Sequence, residues 1–586
     1  MIGRSPAIRP GQRPAPRPST TKSPSSDDTC AIGPNHGTMA HSYQPICSQE
    51  FAIVTKIERT TDRSASKAYL VGGGIASLAA AAFMIRDGDM LGHNITIIEE
   101  SGTIGGSLDG SGSPDAGYVL RGGRMIESKY LCTFALFDSI PTLDDSRTVT
   151  QEIIAWNETM KTSSKSRLVR DGARETAPRF GLSEKHILAI ERLAIEPEFI
   201  LGRTRISDQF DAAFFKTNFW FMWCTTFAFQ PWHSAVEFKR YLVRFAHMVS
   251  GFNRLQGIMR TTYNQYDSMV RPLQKWLLAR GVAFELGTRV TDLRFSERDG
   301  VRSVDQILFE RAGSNGAITV GEADSVMVTL GSMTEASSLG AMDRVPLMLD
   351  KIGGAWSLWE KLAANRPELG HPSVFSDHVE ESKWISFTTT LHDQRLLDFV
   401  RNLTGNVPGE GGLITFPESS WLASIVIPHQ PHFIGQPDDV SVFWGYGLSV
   451  DAPGDFVKKP MSQCTGREIM TEILGHLRLE ADDAAIIDAC TCIPCMMPFI
   501  TSQFLRREAG DRPQVVPDGY DNLALMGQFC ELPDDVVFTV EYSIRSAQTG
   551  VYALLGLKRE PPPVYKGSFD PRVLYRAFRA LHDVAA

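Results

Sequence analysis

Three groups of residues have the types and spacing that chemistry needs. The first is Gly72-Gly73-Gly74, inside KAYLVGGGIASLAAAAFMIRDG at 67–88. Residues 68–71 read as a short buried parallel strand, the glycines as a tight turn and 75–85 as a helix. Gly72 permits the turn. Gly74 lets the backbone approach a pyrophosphate resting on the helix N-terminus, where Ile75 and Ala76 begin the helix. Ser77 stands where the G-x-G-x-x-G pattern has its third glycine. Glu99, closing a second apolar run at 95–98, is placed to accept hydrogen bonds from a ribose. The second group is Cys490, Cys492 and Cys495 in CTCIPC. No second CxxC or paired histidine cluster completes four ligands, so structural cysteine without metal is expected, and the following MMPF reads as buried loop. The third group is His233, His247 and His432, whose apolar and aromatic surroundings suit hydrogen-bonded core residues as well as acid–base groups.

Several elements must position the glycine site. Gly105-Gly106, followed by Ser107, comes after Glu99 at a spacing typical of FAD enzymes similar to the glutathione reductase and amine oxidase groups; a plain NAD site has no need of this pair. DSVMVTLGS at 324–332 reads as a strand and turn re-entering the same domain, with Gly331 and Ser332 at its end. NLALMGQF at 522–529 reads as the last strand, bringing Gly527 close to the ligand, and a helix follows Phe538. Four ordered segments together predict FAD binding.

The chain has 586 residues, 43% hydrophobic and 22% charged, enough for two or three domains with a large core. A net charge of -9 argues against nucleic acid as a main partner. No apolar run is long enough to cross a bilayer; the longest, 77–85, is too short. Nine cysteines in this length do not form a secreted disulfide framework, so a reducing, cytoplasmic compartment is the default. Residues 1–66 are rich in Pro, Ser, Thr and Arg and read as a disordered tail, with organelle targeting the sharper alternative and Met39 an alternative start.

Longer segments resemble the oleate hydratases, once called myosin-cross-reactive antigens. They are GGSLDG at 105–110, YVLRGGR at 118–124, FWFMWCTTFAFQPWHSAVEFKRYLVRF at 219–245, YNQYDS at 263–268, QPHF at 430–433 and CIPCMMPFITSQF at 492–504. The resemblance covers about 67–557. It implies addition of water to the cis double bond of oleate or a similar unsaturated fatty acid, giving a 10-hydroxy acid without net redox change. It also implies an FAD that organises the site, reduced flavin favouring the active arrangement. The flavin contacts it implies, with the glycine motif, are Gly72, Gly74, Ile75, Ala76, Glu99, Gly105, Gly106, Ser107, Arg121, Gly122, Gly123, Arg124, Val290, Gly331, Ser332, Gly527 and Ser543. Tyr241 matches the family's acid, which protonates the alkene, and Gln265 a residue near the substrate carboxylate. Where many members read RGGRE, this chain has Met125, whose thioether cannot take a proton from water; Glu127 is the nearest substitute. Where many read T-x-N-R-Q-P-H, this chain has Val426 and Pro428. His432 remains, and His429 adds a compensating contact to the fatty-acid head.

The expected fold is α/β: a discontinuous Rossmann-like FAD-binding domain (67–130, 275–345, 480–557) with inserted substrate-binding domains. These are a helical, aromatic-rich block at 131–274 and an α/β block at 346–479. The aromatic run 214–232 suits either ordinary core or the wall of an acyl tunnel. A helical extension at 558–586 places Val573, Leu574, Ala577, Phe578 and Leu581 on one face, for packing on the body, on a partner chain or on a membrane surface. Monomer and homodimer both stay open. Two other readings of function remain beside the hydratase: a flavin-dependent double-bond isomerase or oxidoreductase on the same fold, and a catalytically silent fatty-acid-binding flavoprotein.

Overall fold

The computed structural model describes residues 65–583 apart from 124, 350–352 and 480–482. The expected N-terminal tail, through residue 64, and Arg124 lie outside the described residues. Five short strands form a parallel sheet in the order Leu523–Met526, Ser325–Thr329, Ala68–Val71, Ile95–Ile98, Ala283–Glu285. Four of the five are apolar and buried almost throughout, as strands covered on both faces must be. The helix Ile75–Arg86 carries four consecutive buried alanines, Ala79 to Ala82. These small side chains let it lie close between the sheet and the helix Val540–Leu554.

A second, mixed sheet of eight strands forms the other half of the core. Its centre is Cys490–Met497, Trp384–Leu391, Ser441–Gly447 and Ala423–Val426, paired antiparallel. Trp384–Leu391 is buried at every position. Here the expected loop at MMPF is corrected: Met496 and Met497 belong to the strand, pairing with Ile385 and Trp384. A run buried on both faces shows no alternation, which is why it does not announce itself as a strand. The far edge is made by Ser166–Arg170 and Ala173–Thr176, so residues 131–274 contribute strands as well as helices.

The hairpin Gly110–Ser113 and Gly117–Leu120 lies against the eight-stranded sheet. Its Tyr118 and Leu120 N–H groups donate to the Thr390 and Thr388 hydroxyls at 2.8 and 2.9 Å. The aromatic segment forms two capped helices. Asn218–Phe227 is capped by Thr217 and ends at Ala228 in the left-handed conformation, φ 63°. Ala235–Arg244 is capped by the Ser234 hydroxyl. The C-terminal helix Pro571–Leu581 starts on an Asp570 cap and packs on Ala246–Arg254. Only Ala577 and Leu581 of its expected face are buried, whereas Leu574 and Phe578 are each 48% exposed. An i, i+4 pair makes a narrower stripe than the sequence suggests. No helix among the described residues is long and apolar enough to cross a membrane.

Candidate functional site: two cavities across one segment

The parallel sheet ends in a cavity of about 530 Å³. Its walls include Gly72, Gly74, Ile75, Ala76, Glu99, Gly106, Ser107, Arg121, Val290, Gly331, Ser332, Gly527 and Ser543. Gly72 takes φ +96°, where a side chain would be strained, and an added Cβ would stand 3.2 Å from the Thr329 Cβ. Gly105 supports the wall without lining it, its N–H donating to the Gly73 carbonyl at 2.9 Å. Gly106 passes so near Gly74 that a Cβ on it would meet the Gly74 Cα at 3.1 Å. Ser77 is fully buried and contacts the Thr329 hydroxyl at 3.4 Å, so a small polar side chain fits where the motif has glycine.

Glu99 accepts from the Gly73 N–H at 2.5 Å and the Ser101 N–H at 2.8 Å, which fixes its carboxylate at the cavity edge. The helix Ile75–Arg86 starts at Gly74 with no capping side chain and no acid in its first turn, so its positive end faces the cavity uncompensated. Arg121 closes one side. It bonds Asp109 at 2.9 Å, the Gly106 carbonyl at 2.8 Å and the Thr334 carbonyl at 3.1 Å. These features fit a dinucleotide: amides and a helix end for the pyrophosphate, a held carboxylate for the ribose. Sequence reading missed the opposite wall. There Glu100 and Glu335 accept the N–H groups of Gly354 (2.6 Å) and Gly353 (3.0 Å) at the start of the helix Gly354–Ala363. Burial pushes the Glu335 carboxyl up, against those hydrogen bonds. No motif marks these residues; they meet through the fold alone.

Arg121 is followed at once by a second cavity of about 110 Å³, lined by Gly122, Gly123 and Met125. Gly122 and Gly123 thus face this cavity and not the first, although both were expected at the flavin. The remaining wall comes from distant segments: Trp156, Arg260, Gln265, Trp384, Leu413, Val426, Pro428, His429, His432, Trp444, Tyr446 and Phe538 among them. Two of the sequence segments are bolted to each other here. Asn264 donates its backbone and side-chain N–H to the His432 carbonyl at 2.8 and 3.0 Å, and Asp267 accepts the Ile434 N–H at 3.0 Å. Gln436 accepts the His432 N–H at 2.8 Å. That lattice presents Gln265 and His432 on one wall.

The electrostatics of the second cavity are one-sided. Among the described residues no Asp or Glu lines it. Burial pushes the His432 imidazole down to about 3 and lowers that of His429, so both are neutral at pH 7. Burial also raises the Tyr446 phenol, which donates to the Thr225 carbonyl.

Two other singled-out residues lie elsewhere. Glu127 is 1% exposed and pairs with Arg244 at 2.9 Å and His247 at 3.4 Å, while accepting the Lys129 N–H at 2.7 Å. It lines neither cavity. Tyr241 is 1% exposed, walled by Phe227, Phe229, Phe245 and Phe504, and its hydroxyl donates to the Val537 carbonyl at 2.5 Å. It too lines neither cavity, but Val537 adjoins Phe538, which lines the second. The aromatic run is therefore mostly core, with Thr225, Thr226 and Ala228 reaching the cavity.

Cys492 and Cys495 are three apart on a strand, so their side chains leave opposite faces. Burial holds the Cys490 and Cys495 thiols up at about 12 and raises that of Cys492, so all three stay protonated. Asp455, Glu472 and His476 bring carboxylate and imidazole atoms within 4.8 Å of one another, outside both cavity walls. Glu472 is engaged there by the N–H groups of Asp455, Phe456 and Val457, closing a turn.

Comparison with known proteins agrees with this geometry. The family model described as the MCRA family matches residues 65–552. An oleate hydratase from Streptococcus pyogenes serotype M49 (strain NZ131) is 38% identical over 557 residues, 92% of this chain and 93% of that protein. A linoleate hydratase from Lactiplantibacillus plantarum is 31% identical over 567 residues, 88% of this chain and 99% of that one. Cyclohexylamine oxidase from Brevibacterium oxydans IH-35A shares the fold at a TM-score of 0.51 and 12% identity, over 84% of this chain and all of that one.

Proposed function

The chain belongs to the MCRA family, and from that premise we propose that it is an FAD-binding fatty acid hydratase. The observation that carries this reading is 38% identity to an oleate hydratase across 92% of the chain. Support comes from the layout: a cavity suited to a dinucleotide and lined by Arg121, and a largely apolar cavity lined by Gly122, Gly123 and Met125, which follow it closely in the chain.

In the proposed reaction an unsaturated fatty acid such as oleate or linoleate lies in the second cavity. One alkene carbon gains a proton, the other gains the oxygen of water, and the surplus water proton is released. For oleate the product is the 10-hydroxy acid, and no electrons are exchanged with the cofactor. When bound, FAD supplies a planar, polarisable wall and charge that favours the working arrangement. An isolated alkene is a weak base, so its protonation must be coupled to stabilisation of the developing cation. Trp384, Trp444 and Phe538, which line the cavity, offer aromatic faces for that purpose.

Tyr241 is proposed as the proton donor, on the strength of its motif. In that role its hydroxyl leaves the Val537 carbonyl and passes Phe538 to reach the cavity. Water activation is assigned to neither Met125, a weak acceptor, nor Glu127, whose carboxylate holds Arg244. The carbonyls and neutral side chains around Thr261, Asn264 and His432 are the available acceptors.

The test is turnover of oleate and linoleate by flavin-loaded protein in heavy-oxygen water. One solvent oxygen in a hydroxy acid is expected. Oxygen consumption, stoichiometric flavin reduction, or tight binding with no product would overturn the hydratase reading. Full turnover by Tyr241→Phe would remove that residue from the mechanism.

A further inference from the structure

Among the described residues, the wall of the second cavity carries one permanent charge, Arg260. Arg260 donates through Nη1 to the Gly411 carbonyl at 3.0 Å, and its backbone is held by Asn157 in both directions, at 3.0 and 2.7 Å. Its Nη2 is shut from solvent and has no hydrogen-bond partner. No Asp or Glu pairs with it among the described residues; burial alone acts on it, lowering its pKa to about 10. A guanidinium left this way costs stability, because a charge removed from water needs a counter-charge.

Arg167 and Arg244 show the contrast. Arg167, 1% exposed where Arg260 is half-buried, satisfies its two terminal nitrogens on the carbonyls of Phe252 and Met222 and the Thr226 hydroxyl. Arg244 pairs with Glu127. Of the three, only Arg260 lines either cavity, and among the described residues that cavity contains no acid. Its neighbours on the wall include Trp156, Val426 and Pro428, none of which donates to an anion except through the indole N–H of Trp156. Gly412 lies so close that a Cβ there would meet Arg260 Nη2 at 2.1 Å, so the guanidinium is boxed in from behind.

We propose that Arg260 anchors the carboxylate of the fatty acid through a charge-assisted contact, with neutral His429 and His432 as secondary partners. The inference rests on the fatty-acid reading above and deepens it. A fixed cation in a cavity whose other described walls are uncharged and largely apolar favours an anionic amphiphile, and a carboxylate matches the guanidinium. It follows that the enzyme discriminates free acids from their esters through this residue. Arg260 is a binding residue and takes no part in proton transfer.

The experiment compares the flavin-loaded full chain with Arg260→Gln and Arg260→Lys, using oleate and methyl oleate as substrates. Arg260→Gln is expected to raise KM for oleate by about 10-fold or more, with kcat within about threefold and methyl oleate unchanged within about twofold. Arg260→Lys, which keeps the charge and loses the fork, is expected to fall between. Wild-type affinity for oleate in Arg260→Gln, or equal losses for acid and ester, would overturn the anchor. Displacement of a bound fluorescent fatty acid by oleate is measured in parallel. If the wild-type protein hydrates nothing, the reaction is wrong; the anchor still stands or falls on whether displacement weakens in Arg260→Gln. Flavin absorbance and melting temperature, matched between Arg260→Lys and wild type, show that the comparison is made on folded protein.

Discussion

The two cavities share one stretch of chain, with Arg121 lining the larger and Gly122, Gly123 and Met125 the smaller, and they are made of different material. The larger is a backbone surface. Gly72, Gly106, Gly331 and Gly527 all take positive φ along it, and the groups offered inward are amides, a helix end and the fixed Glu99 carboxylate. The smaller is a side-chain surface assembled, among the described residues, from nine separate parts of the chain, with indoles, imidazoles and the Arg260 guanidinium. A backbone surface is specified by a few glycines whose spacing is local. A side-chain surface is specified by whichever segments the fold brings together, and it changes with single substitutions such as Val426 and Pro428. The first is suited to hold an invariant cofactor, the second to hold a substrate that differs between relatives.

The difference can be broken most severely at Glu127, just beyond the residues that line the two cavities. Glu127 serves neither cavity directly; it pins the strand Ile126–Glu127 to Arg244, which also approaches Asp535 at 3.6 Å. Glu127→Ala leaves a buried guanidinium short of one partner and is expected to cost about 3–5 kcal/mol. Chemical denaturation would show that loss. Protein that remains folded in the cold should still turn over with kcat within about threefold of wild type, since the residue is structural. A selective loss of kcat at unchanged stability would make Glu127 part of the chemistry and merge the two roles kept apart here.

A smaller effect should stay on one side. Gly72→Val forces a branched side chain to φ +96° against Thr329. It is expected to weaken flavin retention by about 100-fold, equivalent to nearly 3 kcal/mol. Flavin absorbance after gel filtration reports it. Binding of a fluorescent fatty acid in the second cavity should survive. Loss of both would mean the cavities do not form independently.

The same contrast explains what could be read from the sequence. The turn at Gly72–Gly74, Glu99, the Gly105-Gly106 pair and the strands at 325–329 and 523–526 are local patterns with one physical solution, and they fall where expected. Ser77 weakened the motif on paper, yet the site needs only a small side chain there, facing Thr329. Gly122 and Gly123 share a motif with Arg121, but both line the other cavity, which the motif alone does not reveal. Glu127 looked like a spare carboxylate because nothing local reveals Arg244, 117 residues away. Arg260 drew no notice for the complementary reason. An unpaired charge is visible only once every element that could have paired with it is in place.

The mildest prediction concerns protonation in the aromatic wall. His233 is fully buried beside Phe229 and Phe504; its Nδ1 accepts the Gln230 N–H at 3.0 Å and its Nε2 faces the Glu381 carbonyl at 3.3 Å. Burial pushes this imidazole down to about 3, so the folded protein keeps it neutral where the unfolded chain, titrating near 6.5, takes up a proton. Its contribution to stability is therefore complete above pH 6.5 and is lost progressively as the pH falls toward 3. Between pH 7 and pH 5 the loss is about 2 kcal/mol for this one group. Carboxylates such as Glu237, held down at about 2 by Arg512, Arg507 and Arg240 against its own burial, weaken the fold only in more acid solution. The two windows overlap below about pH 4.5, but between pH 7 and pH 5 the histidine dominates. His233→Gln keeps an acceptor and a donor in place and removes the titration, so its denaturation midpoint should fall less between pH 7 and pH 5 than that of wild type. Equal falls would mean that His233 is protonated in the native wall, and that the aromatic side of the molecule is wetter than its packing indicates.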